Sequence, residues 1–223
     1  MNQNSLTKIA VIDIDGTLID GQIQQKLINF LYRKKELNLW FMLYLNIWFI
    51  LYKLRLVSDM KKFFEYGLSY LKGKTLTSID LIILEYINKD LKSDIYSKSF
   101  ELVDDLKKSG YKLLILSTAV DAVISKVAKL FNIDDYICTK LEIKDGKYTG
   151  KIDGEIVYGK NKVRFLKEYF DSNTYLLKNA IAYADHESDI PMLKTVNKAY
   201  IVNPNVYMKH VAQKEGIGII NTK

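Results

Sequence analysis

From Lys8 to Thr17 the chain reads KIAVIDIDGT, a short apolar, β-branched run that breaks off into two aspartates and a glycine. Such a run suits a buried strand, and the carboxylates directly after it suit the loop at that strand's carboxyl end. The same step recurs downstream. Residues 99–109 (SFELVDDLKKS) have helical spacing and are closed by Gly110; YKLLIL at 111–116 then reads as a fully apolar strand ending at Ser117 and Thr118. Residues 121–131 form an amphipathic helix with Asp121 as its expected N-cap, and a further strand begins at 136–139. Residues 162–170 read as a helix, 180–184 (AIAYA) as a short buried strand, 190–195 as a helix start around Pro191, and 200–202 as a last strand before Asn203 and Pro204. Repeated strand, helix and strand confine the chain to an α/β fold with a mostly parallel sheet.

Two stretches interrupt this alternation. Residues 22–92 contain no proline, only Gly67 and Gly73 as glycines, and many Leu, Lys and Tyr at helical spacing, so they read as consecutive helices. At 141–159 (LEIKDGKYTGKIDGEIVYG), Asp145-Gly146 between β-rich arms predicts a hairpin.

Composition narrows the class. The 223 residues are 48% apolar and 26% charged, which fits one folded unit and excludes a disordered or low-complexity chain. A single cysteine, Cys138, permits no intrachain disulfide and argues against a cysteine zinc site; it reads as a small buried hydrophobe, in a protein of a reducing, cytoplasmic compartment. No cleaved secretion signal is expected, because aspartates interrupt the first apolar run. Thirty-three Lys plus Arg against 26 Asp plus Glu give +7, which suits an anionic partner. There is no basic stripe with interleaved aromatics, so nucleic acid is not expected.

Ligands in open α/β folds gather at the carboxyl ends of strands. Those ends here supply Asp13, Asp15 and Gly16, then Ser117 and Thr118, then Asp185 with Asp189 four residues on, while a helix start brings Lys160 and Lys162. Phosphoryl transfer through an aspartyl-phosphate makes use of all of them. Asp13 is the candidate nucleophile. A carboxylate repels a phosphate dianion, so a hard cation is required, and Mg2+ suits Asp13, the backbone carbonyl of Asp15, and Asp185. Side chains at i and i+2 of an extended segment share a face, so Asp15 can act as acid on the leaving oxygen and then as base for water. Gly16 permits the tight turn. Ser117 and Lys162 are expected on the equatorial phosphoryl oxygens, and Asp189 is expected to orient a metal-bound water or the lysine. Lys160 is an alternative to Lys162, although the spacing to the apolar helix favours Lys162.

The four elements DIDGT, LLILSTA, the lysine of GKNKVRFL and AYADHESDIPML resemble the four motifs of the haloacid dehalogenase superfamily, and together they run from Ile9 to Leu193. EIKDGKYTGKIDGEIV before the lysine helix is similar to the phosphoserine-phosphatase-like branch, subfamily IB. The resemblance implies a Rossmann-like core of residues 1–19 and 96–223, with a helical cap at 20–95. It implies a magnesium-dependent phosphatase acting on a small phosphorylated metabolite. The nucleophile would be Asp13 and the acid/base Asp15; Gly16, Thr17, Ser117, Thr118 and Lys162 would hold the phosphate, and Asp13, Asp15 and Asp185 the metal. Phosphoserine phosphatases typically carry a Glu just after the first motif, where this chain reads DGQIQQ with Gln22 near that position, which argues against phosphoserine. Ala184 and His186 stand where the family has glycines, so the imidazole is placed at the pocket mouth.

Residues 37–52 (LNLWFMLYLNIWFILY) carry no charge. Sixteen residues fall short of the roughly 20 needed to span a bilayer. One reading is a buried or self-associating cap helix. The other is a peripheral membrane contact, with Trp40, Tyr44, Trp48 and Tyr52 as an i, i+4 anchor stripe. The pattern is similar to caps of phosphatidylglycerophosphate phosphatases in the same branch, which implies a lipid phosphate as the alternative substrate. Arg33, Lys34, Lys35, Lys53 and Arg55 flank the run as candidate contacts to an anionic substrate. Rival classes fit less well: a phospho-acceptor receiver domain lacks such a helical insert, and an idle scaffold has no use for the intact constellation.

Overall fold

The strand that opens the sequence, β1 (Lys8–Ile12), is the middle strand of a seven-stranded sheet in the order β4-β3-β2-β1-β5-β6-β7. The computed structural model describes residues 8–54, 56 and 59–223, apart from the side chains of Tyr52 and Lys53. The other strands are β2 (Tyr111–Val120), β3 (Asp135–Lys144), β4 (Lys147–Asp153), β5 (Ile181–Ala184), β6 (Lys198–Val202) and β7 (Gly218–Ile220). Every neighbouring pair is parallel except the β3–β4 hairpin. Residues along β1 and β2 alternate between two cores: Ala10, Ile12, Leu113 and Ile115 face one, and Ile9, Val11, Leu114 and Leu116 face the other. With both faces covered, these strands read as unbroken apolar runs, and each buried Leu or Ile contributes about 1.5–3 kcal/mol relative to exposure.

Four helices lie between β1 and β2 in the chain: α1 (Ile23–Arg33), α2 (Leu39–Lys53), α3 (Met60–Leu68) and α4 (Leu76–Lys89). After them come α5 (Ser99–Lys108), α6 (Asp121–Leu130), α7 (Lys160–Tyr169), α8 (Thr174–Asn179), α9 (Ile190–Leu193) and α10 (Val206–Glu215). The expected strands, helices and hairpin are all present; α8, α10 and β7 were not anticipated. Two local expectations need correction. The second strand does not stop at Ser117 but runs to Val120, with its pairing to β3 shifting register between Ser117 and Val120. Asp121 is the first residue of α6 rather than its N-cap, and its carboxylate accepts from the N–H groups of Ala122 and Leu141.

The apolar stretch forms α2, and it is apolar on all sides. Phe41 stacks on Tyr66 of α3, Tyr44 meets the same ring at a tilt, and Trp48 stacks on Phe63. Trp40, Leu43, Tyr44, Ile47 and Ile50 are exposed. Of the expected stripe, Trp40 is exposed, Tyr44 is exposed while touching Tyr66, and Trp48 is half-buried against Phe63. Among the described residues no helix is long and apolar enough to cross a membrane. Tyr52 and Lys53 as side chains, and Arg55 altogether, lie outside the described residues.

The hairpin meets the helical block through its backbone. Gly73 donates to the Tyr148 carbonyl at 2.8 Å and Tyr148 donates to that of Lys74 at 3.0 Å, while the Glu65 carboxylate accepts from Ile152 N–H. The tip of the Asp145-Gly146 turn has both residues at positive φ, as a two-residue hairpin requires. Gly150 lies at φ +80°, and a Cβ there would stand 3.2 Å from the Ser69 backbone. Gly150→Ala is expected to destabilise the protein by about 1–2 kcal/mol in urea denaturation and to speed hydrogen exchange at the Gly73 and Tyr148 amides.

Candidate active site

The strand order reverses at β1, which leaves a crevice at the carboxyl ends of β1 and β5. Asp13 enters it one residue past β1, its N–H donating to the Tyr183 carbonyl of β5 at 2.9 Å. The chain then folds back sharply: Thr17, Leu18 and Ile19 all donate to the Ile14 carbonyl. Gly16, at φ +74°, is required here twice over. A side chain would be strained, and its Cβ would fall 2.0 Å from Asp185 Oδ2. Asn203, just past β6, and Thr222 brace the turn, the amide reaching the Gly16 carbonyl and the Thr222 hydroxyl that of Thr17.

Lys162, in the first turn of α7, is 2% exposed and places Nζ 2.7 Å from Asp13 Oδ1 and 2.7 Å from Asp189 Oδ1. Lys160 is exposed, so of the two candidate lysines Lys162 is the one in the crevice. Burial works against its charge, but Asp13 and then Asp189 outweigh burial and hold the ammonium above its ordinary pKa. Burial raises the Asp13 pKa, with Lys162 opposing it. Burial pushes Asp15 up to about 6, although its carboxylate accepts from Ile23 N–H at 2.8 Å. Asp185 is pushed up to about 7 by burial and then by Asp189.

Four carboxylates thus gather near the Lys162 ammonium, which is paired with Asp13 and Asp189. Oxygens of Asp13, Asp185 and Asp189 lie within 4.8 Å of one another, and Asp185 Oδ1 is buried with no hydrogen-bond partner. A cluster of hard oxygen donors carrying this much unrelieved charge fits a divalent cation. Asp189, anticipated as an outer orienting group, stands in the cluster itself.

Above this floor lies a cavity of about 510 Å³. Asp13, Asp15, Gly16, Thr118, Lys162, Asp185 and Asp189 line it, and the helical block supplies its other wall. Ser117 and Thr17 are fully buried and are not among the lining residues; the Ser117 hydroxyl accepts from Ala119 N–H. Thr118 lines the cavity, but its hydroxyl donates to the Val157 carbonyl, so it is not free for a ligand as expected. Gln22 and His186 both line it, the imidazole bonded to Ser188. Of the basic residues put forward as substrate contacts, Arg33 is paired with Asp90 and Lys34 with Glu85, and neither these nor Lys35 lines the cavity. Asn203, Tyr96 and Tyr158 line it without having been anticipated; for Asn203, its position directly after a strand was the available signal.

A parallel sheet with an acidic, ammonium-centred crevice at its switch point, roofed by helices inserted after the first strand, defines a class of α/β hydrolases. Residues 10–194 match the haloacid dehalogenase-like hydrolase family, and the chain belongs to it. The "Inhibition of morphological differentiation protein" of Streptomyces azureus is 25% identical over 164 residues, 73% of this chain and 59% of that protein. The phosphoserine phosphatase of Streptococcus thermophilus is 37% identical over 108 residues, 48% of this chain and 50% of that one. The chain thus spans between half and three fifths of these relatives. In fold it is similar to a Bordetella pertussis Tohama I protein of unknown function (TM-score 0.89, 19% identity, 98% of this chain and 100% of that one). It is also similar to a phosphoserine phosphatase solved as a phospho-aspartyl intermediate analogue (TM-score 0.63, 19% identity, 97% and 94%).

Removing the ammonium tests how the floor is held. Lys162→Met leaves Asp13 and Asp189 facing each other in a buried site and is expected to cost roughly 3–5 kcal/mol at neutral pH. The loss should shrink towards pH 5, as Asp13, whose pKa burial already raises, takes up a proton. Urea denaturation at both pH values measures it.

Proposed function

We propose that this chain is a magnesium-dependent phosphomonoester hydrolase acting through an aspartyl-phosphate on a small phosphorylated metabolite. Residues 20–95 would serve as a cap on a core built from 1–19 and 96–223. The observation that carries this reading is the contact of Lys162 with both Asp13 and Asp189 in the buried crevice. A lysine so held can neutralise a phosphoryl oxygen, keep Asp13 oriented and oppose the effect of burial on its charge.

Asp13 then attacks phosphorus, and the bond to the alcohol oxygen breaks. Asp15, whose carboxyl burial pushes up to about 6, gives that oxygen its proton. In the second displacement Asp15 takes a proton from water, the water oxygen bonds to phosphorus, and Asp13 is released with inorganic phosphate. Lys162 and the backbone around Gly16 and Thr118 would bind the equatorial oxygens, where charge gathers in a loose transition state. Asp13, Asp185 and the Asp15 carbonyl, with Asp189 beside them, would hold Mg2+, which when bound supplies the positive charge that lets an anionic ester approach an acidic site.

Asp13→Asn is expected to lower phosphate release from p-nitrophenyl phosphate by at least on the order of 10⁴-fold, as loss of a nucleophile does in other hydrolases. Circular dichroism should be unchanged, and turnover near the wild-type rate in that variant would sink the covalent route. Saturating Mg2+ is expected to raise the melting temperature of the wild type by roughly 5–10 °C, the shift for a ligand at about 100 times its Kd. In Asp185→Asn that shift should disappear, while the metal-free protein melts no lower than the wild type, because a carboxylate already crowded by Asp189 has been discharged.

A further inference from the structure

The crevice floor accounts for the phosphate end of a substrate, and the remainder of the cavity describes the other end. α2 contributes Met42, Leu45 and Phe49 to its wall, and α3 contributes Met60, Phe63 and Phe64. Ile28 of α1 adds to them, and the helical glycine Gly67 keeps this part of the chamber open. The polar groups from the same helices are uncharged amides. One of them, Gln24, has its Oε1 buried with no hydrogen-bond partner. Among the described residues helices α1, α2 and α3 contribute no charged side chain to the cavity; away from the floor its charged lining is the exposed Asp20 and Lys223.

A zwitterionic alcohol such as serine needs counter-charges for its ammonium and carboxylate. Taking those charges into a wall of Met, Leu and Phe without partners is costly. An alkyl or aryl group gains there instead, at about fourfold in affinity per fully buried methylene. The volume of about 510 Å³ also suits an organic group well beyond three carbons. We propose that the substrate is a phosphomonoester of a predominantly apolar alcohol, bearing one hydrogen-bond donor for Gln24. This rests on the phosphomonoester-hydrolase reading and names the class of ester that the site takes.

The test uses the full chain with Mg2+ and follows phosphate release from ethyl, butyl, hexyl and octyl phosphate below their micelle concentrations, beside O-phosphoserine, glucose 6-phosphate and p-nitrophenyl phosphate. KM is expected to fall at least about twofold per methylene up to hexyl, with phosphoserine the poorer substrate. Phe49→Asp, at an exposed edge of the wall, and Gly67→Leu, whose added Cβ meets only Leu45 and Ile28 side chains at 3.7 and 3.9 Å, should each flatten that dependence. A further arm presents dioleoyl phosphatidic acid in phosphatidylcholine vesicles. Release there assigns the apolar ester to a bilayer, and release only from the alkyl series assigns it to a soluble molecule. A flat alkyl series, or a preference for phosphoserine, in an enzyme that cleaves the aryl ester through Asp13 overturns the substrate class alone. Failure to cleave the aryl ester overturns the hydrolase reading with it.

Discussion

A buried lysine shared between two carboxylates is the constraint on which this structure turns. Lys162 can keep its charge out of water only because Asp13 and Asp189 both stand 2.7 Å away, and those carboxylates can be buried only because the ammonium is there. Each of the three comes from a different place in the chain: the end of β1, the first turn of α7, and the turn that follows β5. The parallel sheet is what brings these ends together. The site and the core therefore specify each other, since the strand order that covers both sheet faces is the one that delivers the charges.

The balance is incomplete. Asp15 and Asp185 bring further acid to the floor, and Asp185 Oδ1 is buried without a protein partner. Gly16 shows how tightly this excess is confined, because the space a methyl group would take belongs to the Asp185 carboxylate. Such an arrangement is pre-organised for a cation and for the negative charge that accompanies it.

Much of this was legible in the sequence. Asp13, Asp15, Asp185, Asp189 and Lys162 were identifiable because a strand leaves its chemistry in the loop that follows it, and the hairpin because Asp-Gly tolerates two positive φ values. The two lysines two residues apart were separable only by helical phase, with one side chain pointing in and the other out. What stayed hidden depends on distant partners. α2 has no polar side, so its sequence carries no periodicity to show which face packs on α3. The Thr118 hydroxyl looked available until Val157, 39 residues away, was seen to hold it. Arg33 and Lys34 looked free until Asp90, just past α4, and Glu85 within it supplied their counter-charges.

The hairpin contact has a mechanical consequence. The helical block is joined to the sheet by two chain crossings, near residues 20 and 95, and two crossings alone would leave it a pivot about the line between them. The bonds from Gly73 and Lys74 to Tyr148 add a third support on the far strand of the sheet. Further ties run from Lys61 to the Gly154 carbonyl and from Asp80 to Lys126, so the block is held at several separate places. Rigid-body displacement of the block would have to break the backbone bonds to Tyr148, so the wall it gives the cavity is held in register with the sheet.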